Sequence, residues 1–227
     1  MSQSYGLTLA ETQGNQNHPV IKAEHFKPGT IKVGEASVPV GGLLAREIAT
    51  GHYKKLGTVT TKTGEALTIT PVDNNGKYAV GFETDNKPIL PGSVVISCHV
   101  AGALASITDN MDGVLKESTN QAQGTIDYNT GLGDIRTFAV MASATDLTFS
   151  GTYKHFNNAG ALDINDICVN ALRIKDATSE AKPESLMDEG LIDPARVTPI
   201  IDSTDPLQVR LLKKNRIRIE HDIETLS

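Results

Sequence analysis

The run Ser93-Val94-Val95-Ile96-Ser97-Cys98-His99-Val100 is the most β-branched stretch of the chain, and it predicts a strand. Successive side chains of a strand point to opposite faces. One face of this run is therefore apolar throughout; it carries Val94, Ile96, Cys98 and Val100. We expect this face to pack on a core, which would leave Cys98 buried and unreactive. The opposite face is mixed, so His99 should be accessible.

Shorter alternating segments lie before this run. Residues 58–62 and 67–72 alternate between apolar and polar side chains, as half-buried strands do, and residues 78–82 predict the returning strand of a hairpin. Between the last two segments, Asp73-Asn74-Asn75-Gly76 predicts a type I′ hairpin turn, because Asn-Gly tolerates positive φ. Strands spaced by roughly 8–12 residues, with turns between them, predict a mainly all-β fold with a small β-barrel or sandwich core.

The pattern changes beyond residue 108. Residues 109–124 are polar and rich in amides, so we expect an exposed excursion with at most one short helix. Residues 125–153 predict a strand, a tight turn at 129–131, a second strand and a closing strand. Residues 163–172 could form a helix or a strand, and their Val and Ile content favours a strand.

These patterns divide the chain into three parts. Residues 1–42 are turn-rich and predict an extended N-terminal arm, residues 43–155 form the β domain, and residues 156–227 form a long C-terminal extension. Within this extension, the acidic and proline-containing residues 176–206 predict a linker on the surface. Residues 209–220 are largely period-two and predict a final hairpin or long strand.

Composition argues against several classes of protein. The 227 residues carry a net charge of −6, which is unlike a chain built to coat nucleic acid. No apolar run approaches the roughly 18 residues that a membrane helix needs, and no signal peptide is visible. The two cysteines, Cys98 and Cys168, lie far apart in apolar surroundings, as expected of buried thiols in a reducing compartment.

The sequence predicts no catalytic, cofactor-binding or metal-binding residues. No two histidines lie within four residues of each other, which is unlike a metal motif; they are His18, His25, His52, His99, His155 and His221. No Lys or Arg stands beside either cysteine to lower its thiol pKa, so a buried thiol is favoured over a Cys–His nucleophile. Asp163-Ile164-Asn165-Asp166 lacks the glycine and distal glutamate of a calcium loop and predicts a solvated turn.

A basic cluster near the end of the chain leaves two interpretations open. The cluster consists of Arg210, Lys213, Lys214, Arg216 and Arg218. One interpretation is an edge strand whose charges discourage unwanted pairing. The other is a docking surface for an acidic partner.

Two groups of short motifs resemble phage proteins. The first group is Gly42-Leu43-Leu44-Ala45, Thr50-Gly51-His52-Tyr53-Lys54-Lys55, Tyr78-Ala79-Val80-Gly81-Phe82 and residues 94–102. It resembles the small β domain of phage head decoration proteins, also called capsid cement proteins. The second group, residues 124–131 (GTIDYNTG) with Ser150-Gly151-Thr152-Tyr153, is similar to a hairpin of virion structural proteins.

The resemblance implies a non-enzymatic virion protein that binds the outer capsid surface and stabilises the head. Its partners would be the major capsid protein and further copies of itself, as a dimer or trimer, without nucleic acid or membrane. It would be made in the host cytoplasm and would act on the capsid surface. Two alternatives stay open: a tail, neck or baseplate component, and a β-barrel enzyme or ligand-binding protein with an unrecognised site.

Overall fold

The computed structural model describes residues 19–32, 34–74, 77–100, 103–120, 122–137, 149–158, 160–171, 175–177 and 181–219. Within these ranges the protein is mainly β with one short helix, so the predicted all-β class is confirmed. The elements, in chain order, are β1 (Val20–Ile31), β2 (Glu35–Val38), β3 (Gly42–Glu47), β4 (Tyr53–Lys55), β5 (Val59–Ala66), β6 (Thr68–Asn74), β7 (Lys77–Glu83), β8 (Val95–Val100), β9 (Ala103–Asp109), β10 (Val114–Glu117), β11 (Ala122–Ile126), β12 (Leu132–Thr137), β13 (Ser150–Phe156), β14 (Leu162–Asn170), β15 (Lys175–Ala177), β16 (Lys182–Ile192), α1 (Pro206–Lys214) and β17 (Ile217–Ile219).

The chain divides into two compact units, and the division differs from the predicted arm, β domain and extension. The first unit holds the described residues up to 45, residues 52–55 and the described residues from 165 onward. The second unit holds residues 46–51 and the described residues between 56 and 164. Residues 19–42 and 165–219 therefore belong to one unit instead of flanking the β domain separately.

A closed five-stranded barrel is built from both ends of the chain. Its strands follow the order β1-β4-β3-β14-β16, and β16 pairs with β1 to close the ring. The β1–β16 ladder is antiparallel and runs from Val20 opposite Ile192 to Ile31 opposite Lys182. Closure leaves neither long strand with an open edge along this ladder. Buried side chains of this unit form one hydrophobic cluster; they are Ile31, Val38, Leu44, Tyr53, Cys168 and Leu186.

The barrel overturns two predictions about the ends of the chain. Residues 20–31 form a barrel strand and are not a free arm, while residues 1–18 lie outside the described residues. Residues 182–192 form another barrel strand and are not a surface linker. Each strand is stabilised by a partner about 150 residues away or more, so neither segment carries a strong local strand pattern.

The second unit is dominated by one curled sheet of nine strands. The order is β5-β13-β8-β9-β10-β11-β12-β7-β6, and all eight neighbouring pairs are antiparallel. As predicted, Val94, Ile96 and Cys98 face its core, and His99 is only partly buried. The predicted hairpin is consistent with Asn74 lying opposite Lys77, but its turn residues 75–76 lie outside the described residues.

Residues 109–124 are not an exposed excursion. They contain β10 and the start of β11, which pair with each other between β9 and β12. Leu115, Glu117, Ala122, Gly124 and Ile126 are buried, whereas Lys116, Gln123 and Thr125, which alternate with them, are exposed. The prediction was wrong because a half-buried strand needs an apolar or small side chain only at every second position. The predicted turn before β12 is confirmed, with Gly131 at φ 72°.

The end of the first unit contains a helix where a hairpin or long strand was predicted. The Asp205 side chain accepts a hydrogen bond from the Leu207 N–H, and Pro206 occupies the first turn, so α1 begins as helices commonly do. Leu211 and Leu212 are buried on its inner side. Only β17, residues 217–219, agrees with the predicted strand; it pairs in parallel with β16.

Candidate functional site

Three polar side chains from three barrel strands meet on the first unit. The Lys27 ammonium of β1 donates to the Asp166 carboxylate of β14. The Tyr53 hydroxyl of β4 donates to the same carboxylate, with distances of 3.0 Å to Oδ1 and 3.1 Å to Oδ2. Lys27 Nζ also lies 5.5 Å from the centroid of the Tyr53 ring, within reach of a cation–π contact. The residues that were expected to form a solvated turn therefore lie in β14 and include a partner of Lys27.

Glycine at position 29 makes this arrangement possible. A Cβ atom there would stand 2.8 Å from Tyr53 Cε2 and 2.8 Å from Leu186 Cδ1. Real Cβ atoms do not approach other carbon atoms so closely. The bare backbone of Gly29 therefore lets the Tyr53 ring pack against β1 and aim its hydroxyl at Asp166.

The ionisation of this cluster favours a fixed ion pair over a nucleophile. Burial disfavours the charged form of Lys27, but its hydrogen bonds to Asp166 and Tyr53 outweigh burial and raise its pKa. Burial raises the pKa of the Tyr53 hydroxyl. Burial likewise raises the pKa of the neighbouring Cys168 thiol to about 12, with a smaller opposing effect of Lys27. At neutral pH the lysine is charged, and the phenol and thiol keep their protons.

An open polar cleft of about 150 Å³ begins at this ion pair. Its lining includes Lys27, Asp166, Asp188, Lys214, Asn215 and Arg216. Asn215 holds one wall in place, because its Oδ1 accepts from the Ile167 N–H at 3.0 Å and its Nδ2 donates to the Leu211 carbonyl at 3.0 Å. His25 Nδ1 lies 2.6 Å from Asp188 Oδ1 on the outer side. The cleft therefore gathers charged groups from β1, β14, β16 and the end of α1.

The basic cluster noted in the sequence divides between two elements. Arg210, Lys213 and Lys214 lie on α1, so the edge-strand interpretation is wrong for them. Arg218 lies on β17, at the end of the strand order of its sheet, and its guanidinium is 2.5 Å from Glu24 Oε1. Two members of the basic cluster, Lys214 and Arg216, therefore line the cleft.

The cysteines and histidines show no reactive arrangement in the described part of the chain. Cys98 is 1% exposed, and burial raises its thiol pKa to about 11. His155 is buried, with its Nε2 3.0 Å from the Thr60 hydroxyl. Among the described residues no three His, Cys, Asp or Glu side chains are grouped so that they could hold a metal ion. His18 and His221 lie outside those residues.

Two buried carboxylates in the nine-stranded sheet fix turns in place. Asp109 accepts hydrogen bonds from the Tyr128 hydroxyl at 2.5 Å, the Gly92 N–H at 2.5 Å and the Met111 N–H at 2.9 Å. Glu65 accepts from the Tyr153 hydroxyl and from the Asp85 N–H. No local pattern in the sequence marks these residues, because each pair joins segments whose contact is visible only in the fold.

Comparison with known proteins assigns the chain to no family. No family model matches the chain, and no curated protein or solved structure shows significant similarity to it. Within the described ranges, no helix is both long and apolar enough to cross a membrane.

Proposed function

We propose that the protein is a non-enzymatic structural component of a phage virion that binds the outer capsid surface and stabilises the head. The observation that carries this proposal is the use of the buried carboxylates. Asp109 and Glu65 accept hydrogen bonds from tyrosine hydroxyls and from the backbone of turns. Catalytic carboxylates must instead be presented to a substrate, so this pattern favours a structural role.

The resemblance of the motifs to head decoration proteins supports the same proposal. Residues 42–45 lie in β3, residues 53–55 form β4, and residues 78–82 lie in β7. These motifs therefore fall on strands, as the resemblance implies. They fall in both compact units, so the proposal concerns the role and not a single decoration domain.

The decisive experiment is a copy number. Purified particles are analysed by quantitative mass spectrometry, with the major capsid protein as the internal reference. A number comparable to that of the capsid protein supports capsid decoration. A number smaller by an order of magnitude or more supports the alternative of a tail, neck or baseplate component. Absence from particles that were assembled in its presence overturns both.

Two exposed apolar side chains are candidates for the attachment face. Leu104 of the second unit and Ile200 of the first are each 73% exposed, so Leu104→Asp and Ile200→Asp should leave the fold intact. We expect one of these variants to detach from particles at lower temperature or denaturant concentration, because it loses an apolar contact. The other serves as its matched control. Equal attachment of both variants would contradict an apolar contact through either side chain.

Self-association is part of the proposal, since cement proteins act around symmetry axes. Analytical ultracentrifugation of the purified chain should give a dimer or trimer mass. If the purified chain stays monomeric at all concentrations but has a capsid-like copy number, its copies associate with each other only when they are bound to the particle.

A further inference from the structure

Arg216 has a backbone conformation that its residue type disfavours. It follows Asn215, the C-cap of α1, and its φ is 59°, in the left-handed region. Its N–H donates to the Lys213 carbonyl at 3.0 Å, which helps to end the helix. Glycine is the usual residue at this position, because it takes positive φ without strain. Glycine would make the same backbone bond.

The Arg216 side chain contributes little to the stability of the fold. Its side chain is 75% exposed and lies near the Glu189 carboxylate, with Nη1 and Oε2 3.8 Å apart. That separation is too long for a hydrogen bond, and exposed ion pairs contribute little. A disfavoured backbone conformation at a residue whose side chain does not stabilise the fold indicates a functional requirement for that side chain.

The charges around the cleft indicate what the side chain could bind. The lining carries three cations, Lys27, Lys214 and Arg216, against two carboxylates, Asp166 and Asp188. Asp166 is engaged by Lys27 and Tyr53, and Asp188 lies beside His25. Lys214 has no ion pair with any described residue. The cleft therefore offers Lys214 and Arg216 to an incoming group of negative charge.

We propose that this cleft binds one small oxyanion, a phosphate or a carboxylate, through Arg216 and Lys214. The Arg216 guanidinium would donate two parallel hydrogen bonds to two oxygens, and the Lys214 ammonium would add a point charge. A volume of about 150 Å³ admits a group of this size, while pockets for larger ligands usually start at about 300 Å³. The inference does not depend on where in a particle the protein acts.

Titration of the full-length protein followed by ¹⁵N–¹H NMR tests the proposal. Inorganic phosphate and succinate are added separately at constant ionic strength, with chloride as the reference anion. We expect saturable shifts confined to the amides of residues 27, 165–167 and 214–216 for at least one of the two anions. The anion that saturates identifies phosphate or carboxylate as the preferred group.

Two variants separate binding from stability. Arg216→Gly should weaken the anion at least about tenfold, since a charge-assisted hydrogen-bond pair is lost, and it should raise the melting temperature because the strain is removed. Arg136→Gln is the matched control: Arg136 is 70% exposed and also lies 3.8 Å from a carboxylate, that of Asp134, but in the second unit. Its affinity should be unchanged.

Three results would overturn the proposal. They are the absence of saturable shifts with both anions, shifts spread over both units, and an equal loss of affinity in Arg216→Gly and Arg136→Gln. Each would show that the anions interact only with the overall charge of the protein.

Discussion

Replacing Gly124 by alanine should destabilise the nine-stranded sheet severely. Gly124 lies on β11, opposite Leu115 on one side and Ile135 on the other. A Cβ atom at this position would overlap the carbonyl oxygen of Asp134 and would lie 2.9 Å from its carbonyl carbon and 3.0 Å from Ile135 Cα. These are backbone atoms of a strand paired on both sides, so they cannot rotate away as a side chain could.

The magnitude follows from two opposing effects. Overpacking of this kind costs typically about 1–3 kcal/mol, and a clash with backbone belongs at the upper end. Alanine also reduces the conformational entropy of the unfolded chain, which stabilises the folded state by about 0.4–1 kcal/mol. We therefore expect the free energy of unfolding to fall by about 2 kcal/mol. For a chain of this length, that corresponds to a melting temperature lower by roughly 4–8 °C.

Gly81→Ala provides the matched control on the neighbouring strand. Gly81 lies on β7 opposite Asp134, the same residue whose carbonyl obstructs position 124, yet a Cβ there would meet no heavy atom within 4 Å. This variant should be neutral or more stable by up to about 1 kcal/mol. Thermal and urea unfolding followed by circular dichroism measures both. Equal stability of the two variants would refute the close approach of β11 and β12.

Four further predictions concern other parts of the chain. Asp205→Ala removes the side chain that caps α1 and should lower the free energy of unfolding by about 1 kcal/mol, measured by urea titration. Cys98 and Cys168 should resist a thiol reagent at pH 8 until denaturant is added, because burial raises both thiol pKa values; rapid labelling of either in the native protein would contradict this. The Cys98 thiol has a higher pKa in the folded than in the unfolded protein, so above pH 9 the folded protein binds more protons than the unfolded chain. The free energy of unfolding should therefore fall as pH rises from about 9 towards 11, and it should fall less steeply in Cys98→Ala. Deleting residues 1–25 should destabilise the barrel, since it removes half of β1; an unchanged melting profile would restore the interpretation of a free arm.

The sequence predicted best where strands pair with near neighbours. The face of β8 that carries Ile96 and Cys98 was predicted correctly from parity alone, because these side chains pack into one core together with apolar side chains of the neighbouring strands. The turn before Gly131 was also predicted, since its residue types satisfy its own local geometry. In these segments the local pattern and the tertiary environment agree.

The errors fall where distant segments meet or where a local signal was overlooked. Neither Val20–Ile31 nor Lys182–Ile192 carries a clear period-two pattern, and their pairing depends on each other. The cleft joins Lys27 to Arg216 across most of the chain, so no spacing in the sequence could have shown it. Two local signals conflict at α1, because Asp205-Pro206 is a helix start signal whereas the alternation of residues 209–220 is typical of a strand.

The closing ladder of the barrel also sets an order of events during synthesis on the ribosome. Val20 can pair only after Ile192 has been synthesised, roughly 170 residues later. At about 5–20 residues per second, that interval is roughly 10–30 s. The nine-stranded sheet uses strands only from residues 59–156, so it can assemble while the barrel is still incomplete. Throughout that interval β1 has no β16 to cover it, and the nascent chain is exposed to aggregation through this strand.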